Sequence, residues 1–256
     1  MKSTAPATLL LIACLCVTGL AQVERTITKT FSLDSDGRVS IETYKGSITV
    51  DVWDKEEVYL EAIVELRDSD DDARDAIDLV DIEIDASAGS FHVETSYDRL
   101  KRRRKGWGFW ANWNNELPNV HYTLRIPARA SLTVDDYKSS AKITGLSNDL
   151  TYETYKGEAV VKDHSGEIRL ETYKGDIEVE FHGKVYASAF ETYKGDIVVR
   201  LPHDAGFDVR LDLGRRADLI SDFDIDDDRR SRDSVNGGGA TLRFESTKGT
   251  IRVDSQ

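Results

Sequence analysis

The pentapeptide Glu-Thr-Tyr-Lys-Gly occurs four times, at Glu42–Gly46, Glu153–Gly157, Glu171–Gly175 and Glu191–Gly195. Looser copies lie at Asp135–Ser139 and Glu245–Gly249. A motif returning at a near-constant period constrains the fold more than composition does, because each unit buries its apolar face only by stacking on the next. Tyr137, Tyr155, Tyr173 and Tyr193 are separated by 18, 18 and 20 residues. Between the glycines run short alternating segments such as Glu167–Leu170 and Asp176–Phe181. Alternation with β-branched residues between glycine turns predicts two strands per tyrosine period.

Two arrangements fit that pattern: stacked parallel coils and an antiparallel meander. Repetition of the whole motif favours coils, since stacking sets like residues about 4.8 Å apart, whereas a meander gains nothing from it. The expectation is an all-β, right-handed parallel β-solenoid with 18–20 residues per coil. It would carry one short helix and one long basic and aromatic loop.

Period-two alternation assigns faces. Ile168, Leu170 and Thr172 point inward, and Arg169, Glu171 and Tyr173 outward; Lys174 and Gly175 make the corner, after which Ile177, Val179 and Phe181 point inward. The motif therefore predicts an outer tyrosine ladder beside an outer glutamate ladder, with lysines at the corner. Such ladders arise from repetition alone, with rings covering the sheet and lysine offsetting stacked glutamates. They also make a flat aromatic and acidic face onto which sugar rings could stack. Tyr155, Tyr173 and Tyr193 are the binding candidates under that second reading.

Residues 1–21 read as a secretory leader. Lys2 gives a positive start, Leu9–Val17 an apolar run too short to span a bilayer, and Gly19-Leu20-Ala21 a cleavage site before Gln22. Leu11-Ile12-Ala13-Cys14 also resembles a lipobox, which would acylate Cys14. Both cysteines, Cys14 and Cys16, fall inside the leader, so the expected mature chain has neither a disulfide framework nor a thiolate site. The net charge of −13 argues against nucleic acid as partner.

The remainder, 22–256, is expected as one domain. Residues 22–98 hold strands at Thr26–Leu33, Val39–Thr43, Ser47–Val52, Val58–Leu66, Val80–Asp85 and Ser90–Ser96, with a short helix at Asp68–Leu79. Acidic residues crowd the first turn of that helix, as its dipole favours. Residues 99–118 break the pattern. Arg99–Lys105 has six cations in seven residues, among them Arg102, Arg103 and Arg104, and Trp107, Trp110 and Trp113 follow. Cations followed by interfacial rings suit an anionic lipid or envelope polymer. The same run could cover a flank of the fold, its cations answering the acidic body. Residues 119–256 hold a strand at Val120–Ile126, the repeats and the closing strands.

Asp222, Asp224 and Asp226 have the spacing of the first ligands of a helical calcium loop. Asp227 stands where that loop needs glycine, and Arg229-Arg230 interrupt it, so calcium is a weak candidate and no other metal or cofactor is implied. His92, His121, His164, His182 and His203 show no HExxH or paired-ligand spacing, and there is no Gly-x-Ser-x-Gly elbow or phosphate-binding glycine loop. An enzyme acting on polysaccharides is the least supported reading.

The order of these features resembles the bacterial putative-adhesin family, a β-strand-repeat domain of unknown function. The resemblance rests on the repeated Thr-x-x-Gly-x-Ile corners, as in Thr172–Ile177, on Leu124-Arg125-Ile126-Pro127 ahead of the repeats, and on Asn236–Gly239 leading into Thr247–Ile251. It implies a β-helix-like solenoid and no defined activity. Tyr-Lys inside the corner and the basic tryptophan run depart from the family's pattern. The expected function is an exported, non-enzymatic, adhesin-like or envelope-binding scaffold. Its expected partner is a glycan or an anionic envelope polymer or lipid; the alternative is an envelope structural or sensing module acting through the basic tryptophan run.

Overall fold

The computed structural model describes residues 23–66, 71–106, 117–226 and 228–256. The expected leader with Cys14, the rings of Trp107, Trp110 and Trp113, and the Arg104 side chain lie outside the described parts. The described residues are all-β apart from two short helices. The first half comprises β1 (Val23–Ser32), β2 (Arg38–Trp53), β3 (Glu57–Leu66), α1 (Asp71–Asp78), β4 (Asp81–Ala86), β5 (Ser90–Ser96), α2 (Asp98–Gly106) and β6 (Asn119–Pro127). The repeats form β7 (Ser131–Thr144), β8 (Leu150–Thr154), β9 (Glu158–His164), β10 (Ile168–Lys174), β11 (Ile177–Phe181), β12 (Ser188–Lys194) and β13 (Ile197–Leu201). Then follow β14 (Phe207–Ser221), β15 (Arg232–Val235) and β16 (Ala240–Ser255).

The repeats pair in parallel and in motif register: Glu153, Glu171 and Glu191 are partners, as are Thr154, Thr172 and Thr192. The parallel β-solenoid expected from the period, and implied by the family resemblance, is not the result. Strand pairing closes on itself in the order β7-β8-β10-β12-β16-β13-β11-β9 and returns to β7, an eight-stranded parallel barrel. Two long strands make the closure. Leu132–Asp136 of β7 pair with β8 while Ser140–Thr144 pair with β9. Leu242–Ser246 of β16 pair with β12 while Ile251–Ser255 pair with β13.

The other strands lie outside this ring. β14 runs parallel along β16 and carries β15 antiparallel. β2 runs parallel along β7, with β5 and β6 parallel on its other edge. β3 and β1 extend that sheet antiparallel beyond β6, and β4 pairs antiparallel with β5. Inside the ring the inward residues form columns. Val134, Tyr152, Leu170, Phe190 and Phe244 follow one another on one wall, and Ile143, Val161, Val179, Val199 and Val253 on the other, all buried.

Three local expectations also change. β2 runs unbroken through the first motif copy, because β7 pairs with it on both sides of Tyr44 and holds it extended. The basic run, expected as a loop, is largely helical. Asp98 opens α2, Leu100 anchors it in the core, and the cations lie towards its C-terminal end, as the dipole favours. Among the described residues the acidic helix spans Asp71–Asp78, stopping short of Leu79, while residues 68–70 lie outside them.

Candidate functional site: a tyrosine row beside a carboxylate row

The motif places its third residue on the outer face of successive strands, so the tyrosines meet as a stack. Tyr44–Tyr137, Tyr137–Tyr155, Tyr155–Tyr173 and Tyr173–Tyr193 have ring centroids 4.6, 5.1, 4.9 and 4.7 Å apart, with interplanar angles of 1–16°. At one end Tyr97 closes the stack edge-on, 6.1 Å from Tyr44, its hydroxyl donating to Pro118 O at 2.8 Å. Burial pushes the Tyr97 hydroxyl well above the usual tyrosine range. At the other end no ring follows Tyr193, because β16 has Thr247 after Ser246, the partner of Thr192. Tyr193 is accordingly 49% exposed against 38% for Tyr173.

This geometry decides how the row can be used. Each internal ring has both faces against other rings, so the row offers ring edges and hydroxyls to solvent. Flat stacking of a sugar on Tyr155 or Tyr173 is blocked by their neighbours; only Tyr193 keeps an open face. Lys156 and Lys174 add their ammonium groups 5.2 and 5.4 Å from the Tyr155 and Tyr173 centroids.

Two residues before each tyrosine stands a carboxylate. Glu42, Asp135, Glu153, Glu171, Glu191 and Glu245 are successive partners in the ladder. Register carries the row further than the motif does: Glu94 and then Glu83 continue it beyond Glu42, and Asp212 continues it beyond Glu245. None of these nine side chains is buried. Neighbouring like charges at this spacing oppose one another by about 1 kcal/mol per pair in bulk water. Arginines offset part of that repulsion. Arg169 lies 3.3 Å from Glu171, Arg243 2.9 Å from Glu245 and Arg230 3.3 Å from Asp212. Asp135 and Glu191 make no ion pair among the described residues. Partial burial, followed by the charges of Glu245 and Glu171, holds the Glu191 carboxyl above its ordinary range.

Between the two rows runs a shallow groove of about 450 Å³ that crosses the strands from Thr43 to Tyr193. Its floor is the threonine column, which points inward. Asp136 replaces threonine there and is buried. It accepts hydrogen bonds from Ser139 N and Oγ, both at 2.6 Å, and from Thr154 Oγ1 at 2.8 Å. Every ionisable group lining the groove other than tyrosine is a carboxylate.

No protein-family model and no curated protein sequence matches this chain. Solved structures that resemble it at low sequence identity include the following three. One is a putative cell adhesion protein from Clostridium sporogenes: TM-score 0.43, 12% identity, covering 91% of this chain and 100% of that one. Another is a putative adhesin from Bacteroides fragilis: TM-score 0.44, 13% identity, 91% and 97% coverage. The third is a putative lipid binding protein from Parabacteroides distasonis: TM-score 0.40, 10% identity, 89% and 96% coverage. At these TM-scores the likeness supports no inference about the site.

The other candidates are placed as follows. In α2, Arg103 bonds Asp75 at 2.7 Å and Arg99 bonds Asp81 at 2.9 Å, while Arg102 is exposed, 4.0 Å from Asp98. Two cations of the run, Arg99 and Arg103, thus pair with acidic residues of β4 and α1. Asp222, Asp224 and Asp226 do not converge. Asp222 accepts from Ser255 N and Asp226 from Asp228 N, while Phe223 and Ile225 between them pack on the core. No group of three or more potential metal ligands gathers among the described residues. Ser47 Oγ lies 2.7 Å from His121 Nδ1, and Glu65 Oε1 3.1 Å from Nε2. Ser47 does not line the neighbouring cavity, so this trio reads as a cross-strand Ser47–His121 hydrogen bond with Glu65 as a charge neighbour of the ring. Sequence reasoning missed Glu83, Glu94 and Asp212 as row members, since they lie outside the motif and only strand pairing brings them into line.

Proposed function

We propose that this protein is an exported, non-enzymatic, adhesin-like scaffold that binds an extended polymer lying across its strands in the groove between the tyrosine and carboxylate rows. One observation supports this above others. Four of the stacked rings and four parallel carboxylates repeat at a single pitch along one open groove, which suits a ligand that itself repeats. A closed parallel barrel is a rigid support for such a surface, because its backbone groups are satisfied within the ring. The groove is open and shallow, unlike the concave pocket in which small ligands are buried.

The test is retention on an immobilised glycan and lipid array, comparing the wild type with the Tyr155→Ser, Tyr173→Ser, Tyr193→Ser triple variant. Selective retention that the variant loses while staying folded supports the reading. Wild type and triple variant giving the same array pattern would overturn it.

A further inference from the structure

We infer that the polymer this groove takes is a linear amino sugar chain carrying free ammonium groups, one ring of the chain facing each strand. This rests on the proposed binding role of the groove and names its ligand class. Charge gives the sign. Asp135, Glu153, Glu171 and Glu191 line the groove; the nearest cations, Arg169 beside Glu153 and Glu171 and Lys156 and Lys174 beside Tyr155 and Tyr173, flank it without lining it. Asp135 and Glu191 have no ion-pair partner among the described residues, and partial burial, followed by the charges of Glu245 and Glu171, raises the Glu191 carboxyl above its ordinary range. An anionic or neutral chain would leave that repulsion standing; a chain of ammonium groups removes it.

Pitch gives the kind of chain. The tyrosine rings advance by 4.6–5.1 Å per strand. An extended peptide advances about 3.3 Å per residue and returns a side chain to the same side every second residue, about 6.6 Å, so its cations fall out of step within two strands. Successive rings of an equatorially linked pyranose chain advance by nearly one ring pitch of this row and turn over at each step, so the ammonium groups on one side recur every second ring and stay in step with every second carboxylate.

Hydrogen bonding gives the second wall. Because the internal tyrosine faces are occupied by other rings, the row presents hydroxyls, each able to donate and accept. Sugar hydroxyls are complementary to such a row, whereas an unsubstituted polyamine would leave it unused. The bound chain lies between ammonium-to-carboxylate contacts on one side and hydroxyl-to-hydroxyl contacts on the other.

The experiment measures affinity by calorimetry at low ionic strength for three soluble β-linked hexamers: fully deacetylated glucosamine, fully N-acetylated glucosamine and glucose. The deacetylated hexamer should bind at least tenfold tighter than the other two. Glu153→Gln, Glu171→Gln, Glu191→Gln together should weaken it at least tenfold. Tyr155→Phe, Tyr173→Phe, Tyr193→Phe, which keep the stack and remove only hydroxyls, should weaken it severalfold with an unchanged melting temperature. As a control for general attraction to an acidic protein, Asp224→Asn, Asp226→Asn, Asp228→Asn makes the same charge change away from the groove. It should leave affinity unaltered; equal weakening by both charge triples overturns the inference. If the acetylated or neutral hexamer binds as tightly, the groove binds glycans but not through its charge, and the amino sugar assignment alone falls. If no hexamer binds, and the array shows no tyrosine-dependent retention, the groove reading falls with it.

Discussion

Gly175 shows what the last position of the motif does. A Cβ added there would sit 1.7 Å from the Gly157 carbonyl oxygen, one at Gly195 2.0 Å from that of Gly175, and one at Gly249 1.9 Å from that of Gly195. Each corner rests directly on the corner before it, and the obstacle is backbone rather than a movable side chain. Gly175→Ala should therefore cost at least about 2 kcal/mol in urea unfolding, by forcing two paired strands apart. His164 supplies a pH dependence. It has no exposed surface and stands edge-on to Phe181 with centroids 6.1 Å apart. Burial pushes its pKa down to about 4 from 6.5. The folded state resists protonation that the unfolded chain accepts, so this contribution is complete above pH 6.5 and is lost as pH falls towards 4. At about 1.4 kcal/mol per pKa unit it amounts to roughly 3 kcal/mol. Urea unfolding at the two ends of that window should show the loss in the wild type and about that much less in His164→Leu.

At the scale of elements, the tyrosine row behaves as a one-dimensional stack, and its energetics should depend on position. An internal ring takes part in two stacked pairs and the terminal Tyr193 in one. With about 0.5–1.5 kcal/mol per pair, Tyr173→Ser should destabilise by roughly twice as much as Tyr193→Ser. Thr247→Tyr, which supplies the missing ring beside the open face of Tyr193, should stabilise by about the worth of one pair. If Thr247→Tyr is neutral and the two losses are equal, the rings are spectators of strand pairing. Much of this row was legible in the sequence. Period and alternation together put Thr154, Thr172 and Thr192 inside and Tyr155, Tyr173 and Tyr193 outside, because the faces of a strand follow from its period of two. The mutual stacking of the rings was not legible, since a ladder position fixes where a side chain starts but not how its ring turns. Nor was the helical form of the basic run, where one buried residue, Leu100, outweighs the repulsion of its charged neighbours.

For the whole molecule, what the sequence could not display was closure. Stacking register is a local property that each motif copy repeats, whereas closure depends on β7 and β16 passing their corners without a break and pairing with two ring strands each. No period marks such a strand; its corner residues, Tyr137–Ser139 and Thr247–Gly249, read as degraded copies of the motif. The consequence is cooperative. An open stack would lose its last element at the cost of one interface, but a closed ring that loses β16 exposes the edges of β12 and β13 together and frees β14. β16 also brings Leu242, Phe244, Ile251 and Val253, all fully buried, with Phe244 stacked on Phe190 at 5.3 Å. At about 1.5–3 kcal/mol each, these four side chains contribute on the order of 6–12 kcal/mol, comparable to the whole stability of an ordinary domain. Deleting residues 240–256 should therefore abolish the cooperative thermal transition and drive the chain to aggregate through its open edges. Deleting residues 23–32 should not. β1 pairs only with β3 at the far end of the outer sheet, and its residues are at most half-buried. Circular dichroism melting and size-exclusion chromatography of the two truncations would read the difference. A monomeric, cooperatively melting chain without β16 would show that the repeats hold themselves together without closing.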